Sequence, residues 1–599
     1  MRLKRLLPLL IPLSLLLGSL LFPWGCANTT TPPTGGPKDT IPPVLVKVAP
    51  LPGSINVPVH GTKVRFTFDE YVKIKDANAV FLSPPLEKKP KAVIKGKSVE
   101  VSFESNLDSN TTYTLDITGA IADNNEGNLF PGFTLVFSTG SQIDSMCVTG
   151  LVQDCNSLMP VKGATVLLYK DHADSAIFLH RPTAAAKTDD WGFFSIRNIN
   201  DTLYRVYALR DEGNNNIYDP DNDLVAFLDT LFRPSIVYDD SLYELKKFDM
   251  KDTALCLARK AQLELNLFRE KPSKQMIVKK ERVGVRTAYL TFMAPGTVVH
   301  DMRIKGLSRE KLISQFNPQR DSLELWVNDQ RKMPDTLHLV INYDKTDTTG
   351  KLRPTEELVK LAISKELRAE LMKNESTTKR KHEDTIAVMT TKADATTVEQ
   401  YGFEIEFKYP LIEEAWDSLK FRSVNPRQQE AQGKVHVQRD TNNLRRYTVM
   451  PEEPFQQGYD YYLKIPHRRF RDINGYYNDS TQLKVTLPTD EKLASITLEL
   501  SQVHNKYIVD LLGEKRDKVI RSFIVDQDCS LLFPYVKAGS YCIRITEDLN
   551  RNGLVDTGVL LEHRQPEKVR FFKLDDNFLV KVLEKAEMVW QINLEEMFR

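Results

Sequence analysis

Residues 545–558 read ITEDLNRNGLVDTG, in which Asp548, Asn550 and Asn552 stand at every second position, Gly553 follows and Asp556 closes the run. Calcium takes six to eight oxygen ligands, which a short loop supplies from alternating carboxylates and amides plus a backbone carbonyl. Asp548, Asn550, Asn552, the Leu554 carbonyl and Asp556 make such a set, although Val559 stands where the closing acid belongs and Glu562 comes three residues late. A second stretch, ALRDEGNNNIYDPDND at 208–223, offers Asp211, Asn215, Asp219, Asp221 and Asp223, with Gly213 displaced. The competing reading is a hairpin, because Asn, Asp and Gly tolerate left-handed backbone and their side chains bond nearby N–H groups. Two readings therefore stand: a weak structural calcium site, with an affinity of about 10⁻⁴ to 10⁻³ M, or one kind of turn used twice. Calcium is the only cofactor suggested, and none is required.

No other spacing promises chemistry. The ten histidines are scattered, and none forms an HExxH, a Cys/His cluster or an elbow-type serine motif. No Gly-rich loop is placed to hold a phosphate. His300 and His467 read as surface or hydrogen-bonded residues, and Asp69–Glu70 as the exposed side of a strand. Two-carboxylate glycosidase chemistry needs a deep cleft, which small tandem sandwiches seldom form. The expectation is a chain with no catalytic residues and no small-molecule substrate.

What positions the loops is legible from their flanks. Aligned without gaps, YRVYALRDEGNNNIYD (204–219) sits on YCIRITEDLNRNGLVD (541–556). Tyr204 meets Tyr541, Asp211 meets Asp548, Asn215 meets Asn552 and Asp219 meets Asp556; the core-side Val206 and Ile217 meet Ile543 and Leu554. Register and chemistry persist through a strand and its loop, so the two stretches read as a distant repeat of one small sandwich.

Short alternating strands dominate the rest. KVRFTFDEYV sets Val64, Phe66 and Phe68 against Arg65, Thr67 and Asp69; SVEVSF, TYTLDI and TLVFST alternate in the same way. One buried face per strand indicates antiparallel sandwiches, an all-β fold. VRFTFDEYV and YTLDITGAIADNNEGN resemble the bacterial Ig-like domain first described in surface-layer proteins. Tyr461, Leu463, Ile465, Asp472 and Asn474 echo Tyr113, Leu115, Ile117, Asp123 and Asn125 one residue longer, predicting a second such domain. GLVQD, PVKGATVLL and TDDWGFFSI resemble a transthyretin-like or carboxypeptidase-regulatory-like sandwich, with Trp191 and Phe193 expected to plug its core.

The N-terminus adds an address. MRLKR followed by LLPLLIPLSLLLGSLLF fits a signal peptide, with Pro8, Pro12 and Gly18 unsuited to a permanent membrane helix. Cys26 follows Gly25 in an arrangement that resembles a bacterial lipobox, with Pro23 where Leu is usual; the resemblance implies acylation of Cys26 and stable anchoring by more than one chain. PTGGPKDTIPP then reads as an extended tether. Lipobox, tether and Ig-like pattern together resemble the large Ig-like-domain lipoproteins of Bacteroidota outer membranes. Asn28, Thr29 and Thr30 replace the acidic cluster that in that family marks export, so either membrane face stays open.

The resulting division is 1–25 signal peptide, 26–40 lipidated cysteine and tether, 41–141 Ig-like, and 146–250 transthyretin-like. It continues with 260–365 β-rich and unassigned, 366–397 charged linker, 398–489 Ig-like and 493–599 transthyretin-like. At 599 residues, one core is excluded and roughly four or five domains are expected. With 81 basic and 80 acidic residues the net charge is +1, which discounts nucleic acid and acidic surfaces as partners. Beyond Cys26, the cysteines Cys147, Cys155, Cys256, Cys529 and Cys542 match no zinc spacing; two close pairs are open to local disulfides or to burial as small hydrophobes. The expected function is a non-catalytic lipoprotein scaffold binding envelope proteins. The resemblance implies an outer-membrane β-barrel or its assembly or secretion machinery as partner. The alternative is a glycan-binding surface lipoprotein of a polysaccharide-utilisation system, with Tyr476 and Tyr477 as its candidate aromatics. A partnerless structural linker is the third reading.

Overall fold

The computed structural model describes residues 39–213, 215–236, 261–369, 386–489, 493–575 and 577–599. The signal peptide, Cys26, nearly all of the tether and Cys256 lie outside them. Among the described residues the fold is almost entirely β, and no helix is long and apolar enough to cross a membrane. The chain divides into two compact units, one ending at Ile143 and one spanning Asp144–Arg599. Five extended hydrophobic cores mark five modules, I to V.

Module I contains β1 (Leu45–Ala49), β2 (Lys63–Phe68), β3 (Val72–Ile74), β4 (Phe81–Ser83), β5 (Lys91–Lys95), β6 (Ser98–Ser102), β7 (Thr112–Asp116), β8 (Ile121–Asp123) and β9 (Thr134–Ser138). They form sheets ordered β1-β2-β6-β5, β4-β7-β9 and β3-β8. Val64, Phe66, Phe68, Val99 and Val101 from the first sheet meet Leu115 and Phe137 from the second, all essentially buried. Each such side chain contributes about 1.5–3 kcal/mol on leaving water. The Tyr113 hydroxyl accepts the Asp108 N–H at 2.7 Å, a tyrosine corner pinning the preceding loop.

Module IV keeps this order and adds one strand, Glu430–Gly433, to the edge of its second sheet. Its first sheet runs Met389–Lys392, Phe403–Phe407, Arg446–Pro451, Val435–Arg439; its second runs Glu430–Gly433, Lys420–Val424, Asp460–Ile465, Thr481–Thr486. Leu411–Glu414 pairs with Phe470–Asp472, as β3 pairs with β8. Tyr461 accepts the Gln456 N–H at 2.6 Å, again five residues back. The echo between these tyrosines thus has a physical cause. Met389–Lys392 lies within the stretch expected to be linker: as a half-exposed edge strand, MTTK carries no apolar alternation to betray it.

Module II contains β10 (Met146–Asp154), β11 (Thr165–Tyr169), β12 (Ala184–Lys187), β13 (Phe193–Ile199), β14 (Arg205–Arg210), β15 (Leu224–Phe227) and β16 (Leu263–Leu267), in sheets β13-β10-β16 and β12-β11-β14-β15. β16 corrects the expected boundary. It pairs in parallel with β10, Gly150 opposite Leu263 through Asp154 opposite Leu267, so module II extends past residue 250. Alternation shows that QLELNLF is a strand, not which sheet receives it. The core plug differs too. Phe194 and Ile196 face the core, whereas Phe193 lies outside that cluster and Trp191 is half-buried, because the strand's phase is shifted by one residue. Asp189 Oδ1 accepts the N–H groups of Trp191 and Phe193, forming the TDDWG turn. A Cβ at Gly192 would stand 2.4 Å from the Val152 carbonyl oxygen.

Module V has the same order as module II: Cys529–Val536, Ala494–Ser501, Glu587–Asn593, then Val519–Val525, Lys506–Gly513, Gly539–Asp548, Val569–Phe571. Its last strand is parallel to its first, as β16 is to β10. Module III holds two sheets. The longest pairing there joins Thr336–Thr346 to Leu352–Ala362.

Candidate functional site

The two Asp/Asn loops share the bonds that shape the turn. Tyr204 donates to the Asn200 carbonyl at 3.2 Å and Tyr541 to the Lys537 carbonyl at 2.9 Å, anchoring the strand that enters each loop. Asp211 Oδ2 accepts the Asn216 N–H at 2.6 Å; Asp548 Oδ2 accepts the Gly553 N–H at 2.7 Å. Asn215 Oδ1 takes the Ile217 N–H at 2.9 Å, and Asn552 Oδ1 takes the Leu554 N–H at 2.7 Å. Asn216 (φ 59°) and Gly553 (φ 76°) hold the equivalent left-handed position. Asn adopts that backbone at small cost, so the displaced Gly213 is not needed for it. Val206 and Ile543 are buried, whereas Ile217 and Leu554 are only half-buried.

A third carboxylate closes each turn. Asp223, 1% exposed, accepts the N–H groups of Glu212 and Asp219 at 3.0 and 2.9 Å. Glu567, 8% exposed, accepts those of the equivalent Leu549 and Asp556 at 3.1 and 2.9 Å. Glu567 has no sequence signal: Asp223 lies four residues beyond Asp219, but Glu567 lies eleven beyond Asp556. Burial pushes the Glu567 carboxyl above the ordinary range, and Asp548 and Asp556 push it further.

In this geometry the loop oxygens are largely committed to the protein's own N–H groups. Asp548 uses both oxygens on the backbone N–H groups of Asn552 and Gly553. Asp556 Oδ2 receives the amide N–H groups of Asn550 and Asn552 at 2.6 Å each, and Oδ1 receives the Lys271 ammonium at 3.0 Å. Burial alone would raise the Asp556 carboxyl; the bonds from Asn550, Lys271 and Asn552 hold it below the usual range instead. Asp219 accepts from Asp221 N–H and the Asn222 amide. One buried loop oxygen, Asp211 Oδ1, is left without a partner, far short of six to eight ligands. Among the described residues no three His, Cys, Asp or Glu side chains gather to hold a metal ion.

What the structure does bring together is the two loops themselves, on Arg269–Lys271, the tail of β16. Tyr218 donates to Glu270 Oε2 at 2.5 Å and Leu560 N–H to Glu270 Oε1 at 2.6 Å. Thr557 donates to the Arg269 carbonyl at 2.7 Å, while Arg269 reaches the Asp221 carbonyl. Gln565 bonds Phe227 O and Asp229, and His563 lies 3.2 Å from Asp174. Gly558 passes so close that a Cβ there would stand 2.6 Å from the Phe268 ring. Module V is thereby fastened to module II. Other junctions follow the same pattern: Arg445 pairs with Glu324 between III and IV at 3.1 Å, and Tyr535 donates to Glu399 between IV and V at 2.7 Å.

A cavity of about 310 Å³ at the II–V junction is lined by Cys155, Asn156, Arg544, Val555, Asp556 and Thr557. Its thiol is inert, since burial pushes Cys155 up to about 12, and Arg544 is committed to Asp510 at 2.7 Å. Cys147, Cys155, Cys529 and Cys542 are all free thiols, so neither close pair forms a disulfide. His300 pairs with Asp344 and His467 with Asp479 at the surface. Of the candidate glycan aromatics, Tyr477 is engaged within the protein: its ring lies against Arg468 and Arg471 at 5.0 and 5.5 Å, and its hydroxyl donates to Glu413.

A family model described as a bacterial Ig-like domain matches residues 39–139. No curated protein matches the chain. Among solved structures, the surface layer protein SbsC, domains 1–6, is 12% identical with a TM-score of 0.13, covering 92% of this chain and 68% of that one. The BSP domain of a biofilm-associated protein is 8% identical with a TM-score of 0.12, covering 74% and 91%. The major pilin subunit of Bacillus cereus is 11% identical with a TM-score of 0.12, covering 76% and 99%. Alignments this loose do not superpose the arrangements.

Proposed function

We propose that the chain is a non-catalytic scaffold of the bacterial envelope, held on the outer membrane by acyl groups at Cys26 and binding other envelope proteins through its sandwich modules. An outer-membrane β-barrel or its assembly or secretion machinery is the partner class this reading favours. The observation that carries it is the use made of the most ligand-like residues: Asp556, Glu270, Thr557 and Lys271 fasten module V to module II. Polar side chains that in an enzyme would face a substrate here join one sandwich to another. The bacterial Ig-like match at 39–139 and the lipobox-like sequence at Cys26 support the envelope setting.

The test is affinity purification of the full chain from detergent-solubilised membranes after mild cross-linking, with mass spectrometry of the N-terminal peptide. Acyl groups on Cys26 and reproducible co-purification of envelope proteins are expected. An unacylated N-terminus overturns the anchor, and a chain that purifies alone overturns the scaffold.

A further inference from the structure

The outer face of the sheet β1-β2-β6-β5 in module I is chemically one-sided. Strand register puts Lys47 opposite Thr67, Arg65 opposite Glu100, and Glu100 opposite Val93. Lys63 and Lys91 both lie opposite Ser102, and Lys95 opposite Ser98. All of these point away from the core formed by Val64, Phe66, Val99 and Val101. Every charged residue in the four strands is therefore on that face: five cations, Lys47, Lys63, Arg65, Lys91 and Lys95, and one carboxylate.

That carboxylate is sunk beneath the cations. The Glu100 side chain is 9% exposed, whereas those of Lys63, Arg65 and Lys95 are 58%, 55% and 51% exposed. Lys95 and Arg65 reach it at 2.8 Å and Lys63 at 3.2 Å. The anion organises the cations without covering them. Val93, 42% exposed, is the apolar residue among them. Nearby Glu104 is paired with Lys88 at 3.4 Å. Four of the module's other acids lie around Glu70, whose carboxyl is raised by burial and then by Asp123, Asp69, Asp39 and Glu126.

We infer that this face docks on an anionic phospholipid surface. Basic clusters beside a membrane bind acidic headgroups additively, and long cationic side chains keep their charge at the headgroup level while their stems lie flat. Placement also fits. Module I follows directly on the tether, and the residues between Cys26 and Asp39 reach about 40 Å when extended. The inference rests on the anchored reading only for bringing this face within range of a bilayer.

The experiment is co-sedimentation of the chain lacking residues 1–26, so that no acyl group contributes, with vesicles of phosphatidylethanolamine and phosphatidylglycerol. Binding is expected at low salt, with at least a tenfold loss at about 0.5 M NaCl, and none to phosphatidylcholine vesicles. K47Q/K91Q, which leaves the Glu100 cluster intact, should weaken binding about thirtyfold. V93D, on an exposed edge-strand position, should abolish it, and K434Q in module IV should change nothing. Equal binding to neutral vesicles, no binding, wild-type binding by K47Q/K91Q, or capture of polyphosphate without vesicles each overturns the inference. An unacylated Cys26 in cells would leave the vesicle result standing, and failure here would leave the anchor standing.

Discussion

Glu567 and Asp223 do one job from different places in the sequence, each receiving the N–H groups at both ends of an Asp/Asn turn. Replacing Glu567 by Ala strands the N–H groups of Leu549 and Asp556. A hydrogen bond to a charged group contributes about 1.5–3 kcal/mol, so E567A should lose about 2–4 kcal/mol in urea unfolding followed by Trp590 fluorescence, and E567Q about half of that. The turn was legible because Asp548, Asn552 and Asp556 keep their spacing in the earlier copy as Asp211, Asn215 and Asp219; the closing acid Glu567 was not, because a longer excursion separates it from the loop. The same limit applies to cysteine. Spacing left two disulfides open, and only the strands show Cys147 and Cys542 buried as free thiols. Both should resist a thiol reagent in native buffer and react fully in denaturant.

At the level of the strand, alternation reveals which residues are buried but not which neighbour a strand takes. KVRFTF and SVEVSF gave their core residues directly, and the tyrosine echo pointed to the shared strand arrangement of modules I and IV. Phe194 in place of Phe193 and β16 in module II were hidden because each depends on a partner distant in sequence, and Met389–Lys392 because MTTK carries no apolar alternation. Register also sets a pH response. Bonds from Lys95, then Arg65 and Lys63, hold Glu100 down at about 2 against an ordinary 4.5. The unfolded chain therefore binds the proton first, so this contribution is complete above about pH 4.5 and disappears as pH falls towards 2. Hydrogen exchange of 63–68 and 98–102 should quicken across that window in the parent protein, and the acid-induced change should be smaller in E100Q. Salt should flatten the difference, since the cations are exposed.

Taken as a whole, the balance of 81 basic against 80 acidic residues described the chain truthfully and concealed its distribution. A strand pleat sorts charge by parity, and in module I it sorted all five cations of one sheet's strands outward. Whole-chain net charge therefore discounted an acidic surface that one face of one module suits. The joining of modules was equally invisible, because Glu270 and Leu560 are separated by 290 positions. Gly558→Val should force Phe268 and the 556–565 loop apart. Hydrogen exchange should rise at 268–271 and 556–565 while the strand Lys506–Gly513 stays protected; unchanged exchange would mean that the junction tolerates the added methyls. The parallel pairing of first and last strands in modules II and V has one more consequence. Pulling a small sandwich by its two ends slides these neighbours along each other, so their hydrogen bonds bear the load side by side instead of unzipping in turn. Chain geometry thus makes both sandwiches mechanical clamps, suited to remaining folded under tension.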